Sequence, residues 1–167
     1  MRLISALLLS LIFFPLCSQA DFAYYSNRHM AQISDLIVVG NVKVVEDGRF
    51  YGHKQKVFFE VETYLKGSAP KNLVILGRID FICDLTNYKN GRYLLFLHRR
   101  ENSIFETEIA STFVSVNFEN GIREIIGNSI WWRSERLTSD IGSYKNLEFA
   151  AEEIGEFVGI PWNKNIY

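Results

Sequence analysis

The chain has 167 residues, 48% of them hydrophobic, and a formal net charge of −1. That length and composition suit one domain with a substantial core. The charge excludes a strongly basic protein drawn to nucleic acid or to an anionic membrane, and the balance moves only to about −2 when Arg2 is set aside with the leader described next.

Met1-Arg2 gives a positive start, Leu3 to Leu16 is an apolar run interrupted by two serines and a late proline, and Ser18-Gln19-Ala20 puts small residues where a signal peptidase reads. This is the pattern of a secretory signal peptide over residues 1–20, with cleavage before Asp21. The run is shorter than the ~20 residues a spanning helix needs. No later stretch is long enough either, so no transmembrane segment is expected after cleavage. The expected location is secreted or periplasmic. Cys17 leaves with the leader, so residues 21–167 keep a single cysteine, Cys83, and no intramolecular disulfide can form. The domain must be held by its apolar core rather than by cross-links.

In chain order, Phe22 to Ser34 reads as a helix, with Phe22, Tyr25, Met30 and Ile33 on one stripe and Asn27, Arg28 and Gln32 opposite. Leu36 to Val45 is a first strand, apolar on both faces up to Gly40 and alternating afterwards, with Val42 and Val44 inward. Gly40, in mid-strand, predicts a bulge or bend of the kind a small barrel needs to close. Glu46 to Gln55 is a polar loop turning at Asp47-Gly48. Val57 to Lys66 alternates cleanly, with Val57, Phe59, Val61, Thr63 and Leu65 on the dry face. Leu73 to Leu76 is a third strand, and Tyr93 to Leu97 a fourth, continuous enough to be buried on both faces. Ile104 to Ile109 and Thr112 to Phe118 follow, the latter with Val114, Val116 and Phe118 inward. Asn120-Gly121 predicts a hairpin into Ile122–Ile126, and Ile130 to Arg133 extends the pairing. The period then changes. Tyr144, Leu147, Ala151, Ile154, Phe157 and Val158 fall on one helical face, with Glu148, Glu152, Glu153 and Glu156 on the other. The helix is expected over 143–158, capped by Ser143 and stopped by Gly159 and Pro161, with Trp162 pinning the tail.

These segments resemble the tissue-inhibitor-of-metalloproteinases and netrin-like group of OB-fold domains. The resemblance rests on Ser34-Asp-Leu-Ile-Val-Val-Gly-Asn-Val42, Val57-Phe-Phe-Glu-Val-Glu-Thr-Tyr-Leu-Lys-Gly67, Leu73-Val-Ile-Leu76, Cys83 and Gly91-Arg-Tyr-Leu-Leu-Phe96. It implies a mainly β, α+β fold over residues 21–167. The sheet would be an OB-like, closed or partly open antiparallel β-barrel, flanked by an N-terminal helix and a C-terminal amphipathic helix. It also implies an exported protein of bacterial type. The animal inhibitors bind the protease zinc through an amino-terminal cysteine; Asp21 stands there in this chain, so that route of inhibition is not implied.

No catalytic, cofactor-binding or metal-binding constellation stands out. His29, His53 and His98 lack the one- or four-residue spacing that sets two imidazoles on one metal. Cys83 is a candidate free thiol with three readings: a nucleophile served by His98 or His53, one half of an intermolecular disulfide, or a small semi-buried residue. Arg99-Arg100 with Tyr88 and Lys89 has the composition of a basic aromatic face, but the acidic balance and exported location argue against nucleic acid. Trp131 is the best surface signal. If Ile130 and Trp132 pack inward, Trp131 faces out beside Arg133, the pairing of an interface anchor. The expectation is an exported, non-enzymatic domain that binds another protein, in an inhibitor-like or other interaction, through loops or through the face bearing Trp131 and Arg133, needing no cofactor. The alternatives are a Cys83-dependent enzyme and an envelope module binding glycan or peptide.

Overall fold

The computed structural model describes residues 25–79, 84–100, 112–136 and 142–160, leaving aside the Phe118 side chain. The first helix, α1 (Asn27–Ile33), is capped by Ser26, whose hydroxyl accepts from the His29 amide at 3.1 Å. It stops where Ser34 turns both its amide and its hydroxyl onto the Met30 carbonyl. Residues 22–24 of the expected helix lie outside the described residues. Asn27, expected on the wet side, is buried because its Nδ2 donates to the Arg133 carbonyl at 2.6 Å.

Five strands close the barrel: β1 (Leu36–Phe50), β2 (His53–Lys66), β3 (Asn72–Ile79), β4 (Gly91–Arg99) and β5 (Thr112–Ser115). Their order is β1-β2-β3-β5-β4, and β1 pairs again with β4, which completes the ring. The OB-like barrel expected from the sequence is therefore closed. It is not wholly antiparallel: β3 and β5 run parallel. An odd number of strands cannot alternate direction all the way around a ring, so one pair must be parallel.

Bulges bend the β1–β2 ribbon into that ring. The register slips between Val39 and Gly40 and again between Val42 and Val44. At Gly40 a Cβ would sit 2.1 Å from the Glu60 carbonyl oxygen, so only glycine allows the approach. At the second slip Lys43 is the extra residue, and this reverses the alternation beyond it. Val42 is buried but Val44, expected inward, is 47% exposed. The hairpin also runs further than the polar composition of residues 46–55 predicted. Asp47 pairs with Gln55 within the ladder, and the turn falls at Tyr51-Gly52, with φ of 49° and 85°. Positive φ at both central residues matches the twist of the flanking strands, which Asp47-Gly48 was not called on to do.

β4 separates two cores. Tyr93, Leu95 and Leu97 point into the barrel with Val38, Phe59, Ile75 and Phe113. Leu94 and Phe96 point outward, beneath the helices, with Met30, Ile37, Trp132 and Ile154. All five β4 residues are buried, as the unbroken apolar run predicted. Phe96 stacks on Trp132 with ring centroids 6.3 Å apart.

The expected Asn120-Gly121 hairpin is absent. A 3-10 turn (Phe118–Gly121) joins β5 to β6 (Ile122–Ile126), and both pair antiparallel to β4, β5 along Leu97–Arg99 and β6 along Arg92–Leu95. They are thus one interrupted strand rather than two arms of a hairpin, because each finds its partner in the long β4 edge. The interruption lets β5 lean onto β3 and lets β6 leave the barrel. Phe113 then takes the inward place expected of Val114, which is half-buried. The segment Ile104–Ile109 lies outside the described residues.

Two more strands, β7 (Ser129–Trp132) and β8 (Ser143–Asn146), extend β6 into a three-stranded wing. The last helix, α2 (Leu147–Val158), covers one face of it. α2 begins four residues later than expected, because residues 143–146 pair with β7. Its cap is Asn146, whose Oδ1 accepts from the Glu148 amide at 2.9 Å, rather than Ser143. Tyr144, expected on the buried helical face, is consequently a strand residue and 60% exposed. Gly159 ends α2 in the left-handed conformation, φ 71°, as predicted.

Replacing Gly40 with alanine forces the Cβ against a backbone carbonyl that cannot yield without opening the β1–β2 bulge. Gly40→Ala is expected to lower stability by about 1–3 kcal/mol, read as a lower denaturation midpoint with an unchanged slope. A wild-type midpoint would mean that the bulge is not where it is described.

Candidate functional site

The wing gives the protein a sheet with unlike faces. Ile125, Ile130 and Trp132 turn toward α2 and are buried. By strand alternation Glu124, Ile126, Ser129, Trp131 and Tyr144 share the opposite face. On β4 the same face carries Tyr93 inside the barrel, so the exposed face of the wing continues the barrel's interior surface past the point where β5 stops covering it. Ile126, Trp131 and Tyr144 are 59%, 50% and 60% exposed.

Trp131 is held in place. Tyr144 is directly opposite it on β8 and meets it edge to face, centroids 5.4 Å apart. The indole also lies against Gly142, where a Cβ would come within 2.9 Å of it. The exposed Trp131 of the sequence reading is therefore present, with Tyr144 and Ile126 added. The sequence pattern missed Tyr144 because residues 143–158 read as one helix. Arg133 lies just past β7, half-buried, with its carbonyl accepting from Asn27.

The other face is anchored by a buried carboxylate. Glu153, expected on the wet side of α2, is fully buried. It accepts from Trp132 Nε1 at 2.5 Å, the Ser134 hydroxyl at 2.6 Å, and the amides of Glu135 and Arg136 at 3.1 and 3.2 Å. Arg136 Nε lies 3.8 Å away. Helical spacing could not reveal this, because the donors come from the chain leaving β7. Their effect is to fix α2 to the end of the strand that carries Trp131. The surrounding ion pairs Arg28–Glu135 and Arg136–Glu156 are solvent-exposed and contribute little each.

The three histidines come from different elements. His29 lies on the exposed side of α1 against Tyr25, and His98 lies near the end of β4 with Nδ1 3.4 Å from Asp35. His53 opens β2. Among the described residues no three histidine, cysteine or acidic side chains form a group able to hold a metal. Cys83 lies outside the described residues. The basic aromatic face does not form: Tyr88 is buried in the barrel, Arg99 packs over Phe113 at 5.5 Å and Arg100 over Tyr51 at 5.4 Å. Burial pushes the Tyr88 phenol far above its ordinary range, reinforced by the Asp84 carboxylate. Tyr88 Oη has no hydrogen-bond partner among the described residues. Tyr93 is raised in the same direction, chiefly by burial.

Among the described residues no helix is long and apolar enough to cross a membrane. No family model matches the chain, and no curated protein matches its sequence.

Glu153→Ala would strand four donors, and a loss of about 3 kcal/mol or more is expected. Glu153→Gln, which keeps one acceptor oxygen, should lose less. Equal, small losses from both in a denaturant titration would remove Glu153 as the anchor. Tyr88→Phe removes an unpaired buried hydroxyl and is expected to hold or raise stability, by up to about 1 kcal/mol. A clear loss in thermal melting would contradict that.

Proposed function

We propose that this chain is an exported, non-enzymatic binding domain of the netrin-like type, and that it takes another protein on the wing face bearing Trp131. The observation that carries the reading is the Trp131–Tyr144 pair. These are two large aromatic rings, each at least half exposed, fixed by strand register and flanked by Ile126. Aromatic anchors on a pre-ordered surface are what protein interfaces use, because their apolar area is presented with little entropy left to lose. Ser129, Glu124 and Asn146 at the edges of the patch supply a polar rim. Export is supported by the leader-like residues 1–20.

Capture from the cell-envelope fraction of the source organism tests the binding. Wild-type bait should recover a protein in stoichiometric amount. Trp131→Ala should weaken its capture by about 2 kcal/mol, roughly thirty-fold in affinity, while the circular dichroism spectrum stays unchanged. Undiminished capture would overturn the Trp131 face. For the location, mass spectrometry of the protein recovered from a bacterial periplasm should find Asp21 as the first residue. A full-length chain confined to the cytoplasm would overturn export.

A further inference from the structure

The open face of the wing carries a charge as well as an aromatic surface. The β6–β7 ladder runs Ile126 to Ser129 and Ile125 to Ile130, so its next step sets Glu124 level with Trp131. On its other side Glu124 pairs with Tyr93, and Trp131 pairs with Tyr144. One row across four strands therefore reads Tyr93, Glu124, Trp131, Tyr144, all on the same face. Tyr93 is buried, and the other three are exposed.

Among the described residues no cation pairs with Glu124 and no donor bonds to it. The glutamates of the β1–β2 ribbon differ: Glu46 meets Lys56, Glu60 meets Lys43 and Lys71, and Glu62 meets Arg92. The cations of the wing are engaged elsewhere. Arg123 points to the other side of β6, where its Nη1 donates to the Ile122 carbonyl at 3.2 Å. Lys145 lies over the Phe149 ring of α2 at 6.0 Å. Arg133, two residues along from Trp131, is half-buried and is not free.

A carboxylate and an aromatic ring side by side attract one kind of group in common, a cation. Arginine suits both at once, because its planar guanidinium stacks on an indole while its edge offers paired donors to a carboxylate. An acidic residue would be repelled by Glu124, and an apolar one would cover that charge without pairing it. We infer that the partner of the wing presents an arginine, with its guanidinium on the Trp131 ring and its edge at the Glu124 carboxylate. Apolar neighbours of that arginine rest on Ile126 and Tyr144. The inference rests on the wing being the binding face.

Titration of the isotope-labelled protein with acetyl-Ala-Arg-Ala-amide and its citrulline counterpart, a neutral urea of the same shape, tests it by NMR. The arginine peptide should shift the Trp131 indole N–H and the amides of Glu124, Ile126 and Tyr144. The citrulline peptide should bind roughly fivefold more weakly or worse. Glu124→Gln should erase that difference, and Trp131→Ala should weaken both peptides. Spectra of the variants that superpose on wild type away from the wing establish folding. Equal binding of the two peptides, shifts mapping elsewhere, or an arginine preference that survives Glu124→Gln would each overturn the inference. In the envelope capture, Glu124→Gln should weaken recovery, more at low salt than at high. Capture lost in Trp131→Ala but intact in Glu124→Gln would overturn the arginine alone and leave the wing standing. Capture intact in both would overturn both.

Discussion

Everything in this fold leans on β4 having no wet face. Its five central residues alternate between the barrel interior and the layer beneath the helices, and all are buried. Fully burying side chains of this size contributes roughly 1.5–3 kcal/mol each, so the strand makes a large apolar contribution to both cores. Its two edges are equally occupied. One pairs with β1, and the other is divided between β5 and β6. A polar residue at any of the five positions would be stranded in one core or the other.

The division of that second edge generates the rest of the architecture. Where β5 holds it, the barrel closes through the single parallel contact that an odd strand count demands. Where β6 holds it, the sheet continues outward and exposes a face that would otherwise be interior. α2 can cover only one side of this wing. The side it covers is locked by Glu153 and its four donors, and the side it leaves open is the one with Trp131 and Tyr144. A buried carboxylate on the opposite face thus ties the helix to the strand that carries the proposed interface.

The open face of the wing is organised by one lateral row. Tyr93, Glu124, Trp131 and Tyr144 come from four strands and are level only because β4, β6, β7 and β8 keep register. The row starts inside the barrel and ends at the edge of the sheet, so a carboxylate and aromatic rings distant in the chain meet on one surface. Arg123 and Lys145 are engaged elsewhere, which leaves the row with the charge of Glu124.

Local pattern in the amino-acid sequence determined the strands and their dry faces wherever alternation ran unbroken. The alternate residues from Val57 to Leu65 and all of Tyr93 to Leu97 are buried as read, Gly40 is at a bulge, Gly159 ends α2, and Trp131 faces out while Trp132 faces in. The barrel was expected as closed or partly open, and the pairing of β1 with β4 closes it. Tertiary structure alone decided what depends on a distant partner. The extra residue at Lys43 turned Val44 outward. The free edge of β4 drew β5 and β6 into line and dissolved the Asn120-Gly121 hairpin. Pairing with β7 took residues 143–146 from the helix and set Tyr144 beside Trp131, and donors from the chain after β7 made Glu153 a buried residue. Periodicity reports how a segment's own side chains divide between wet and dry. It carries no record of which strand edge, carbonyl or donor will arrive from elsewhere to change that division.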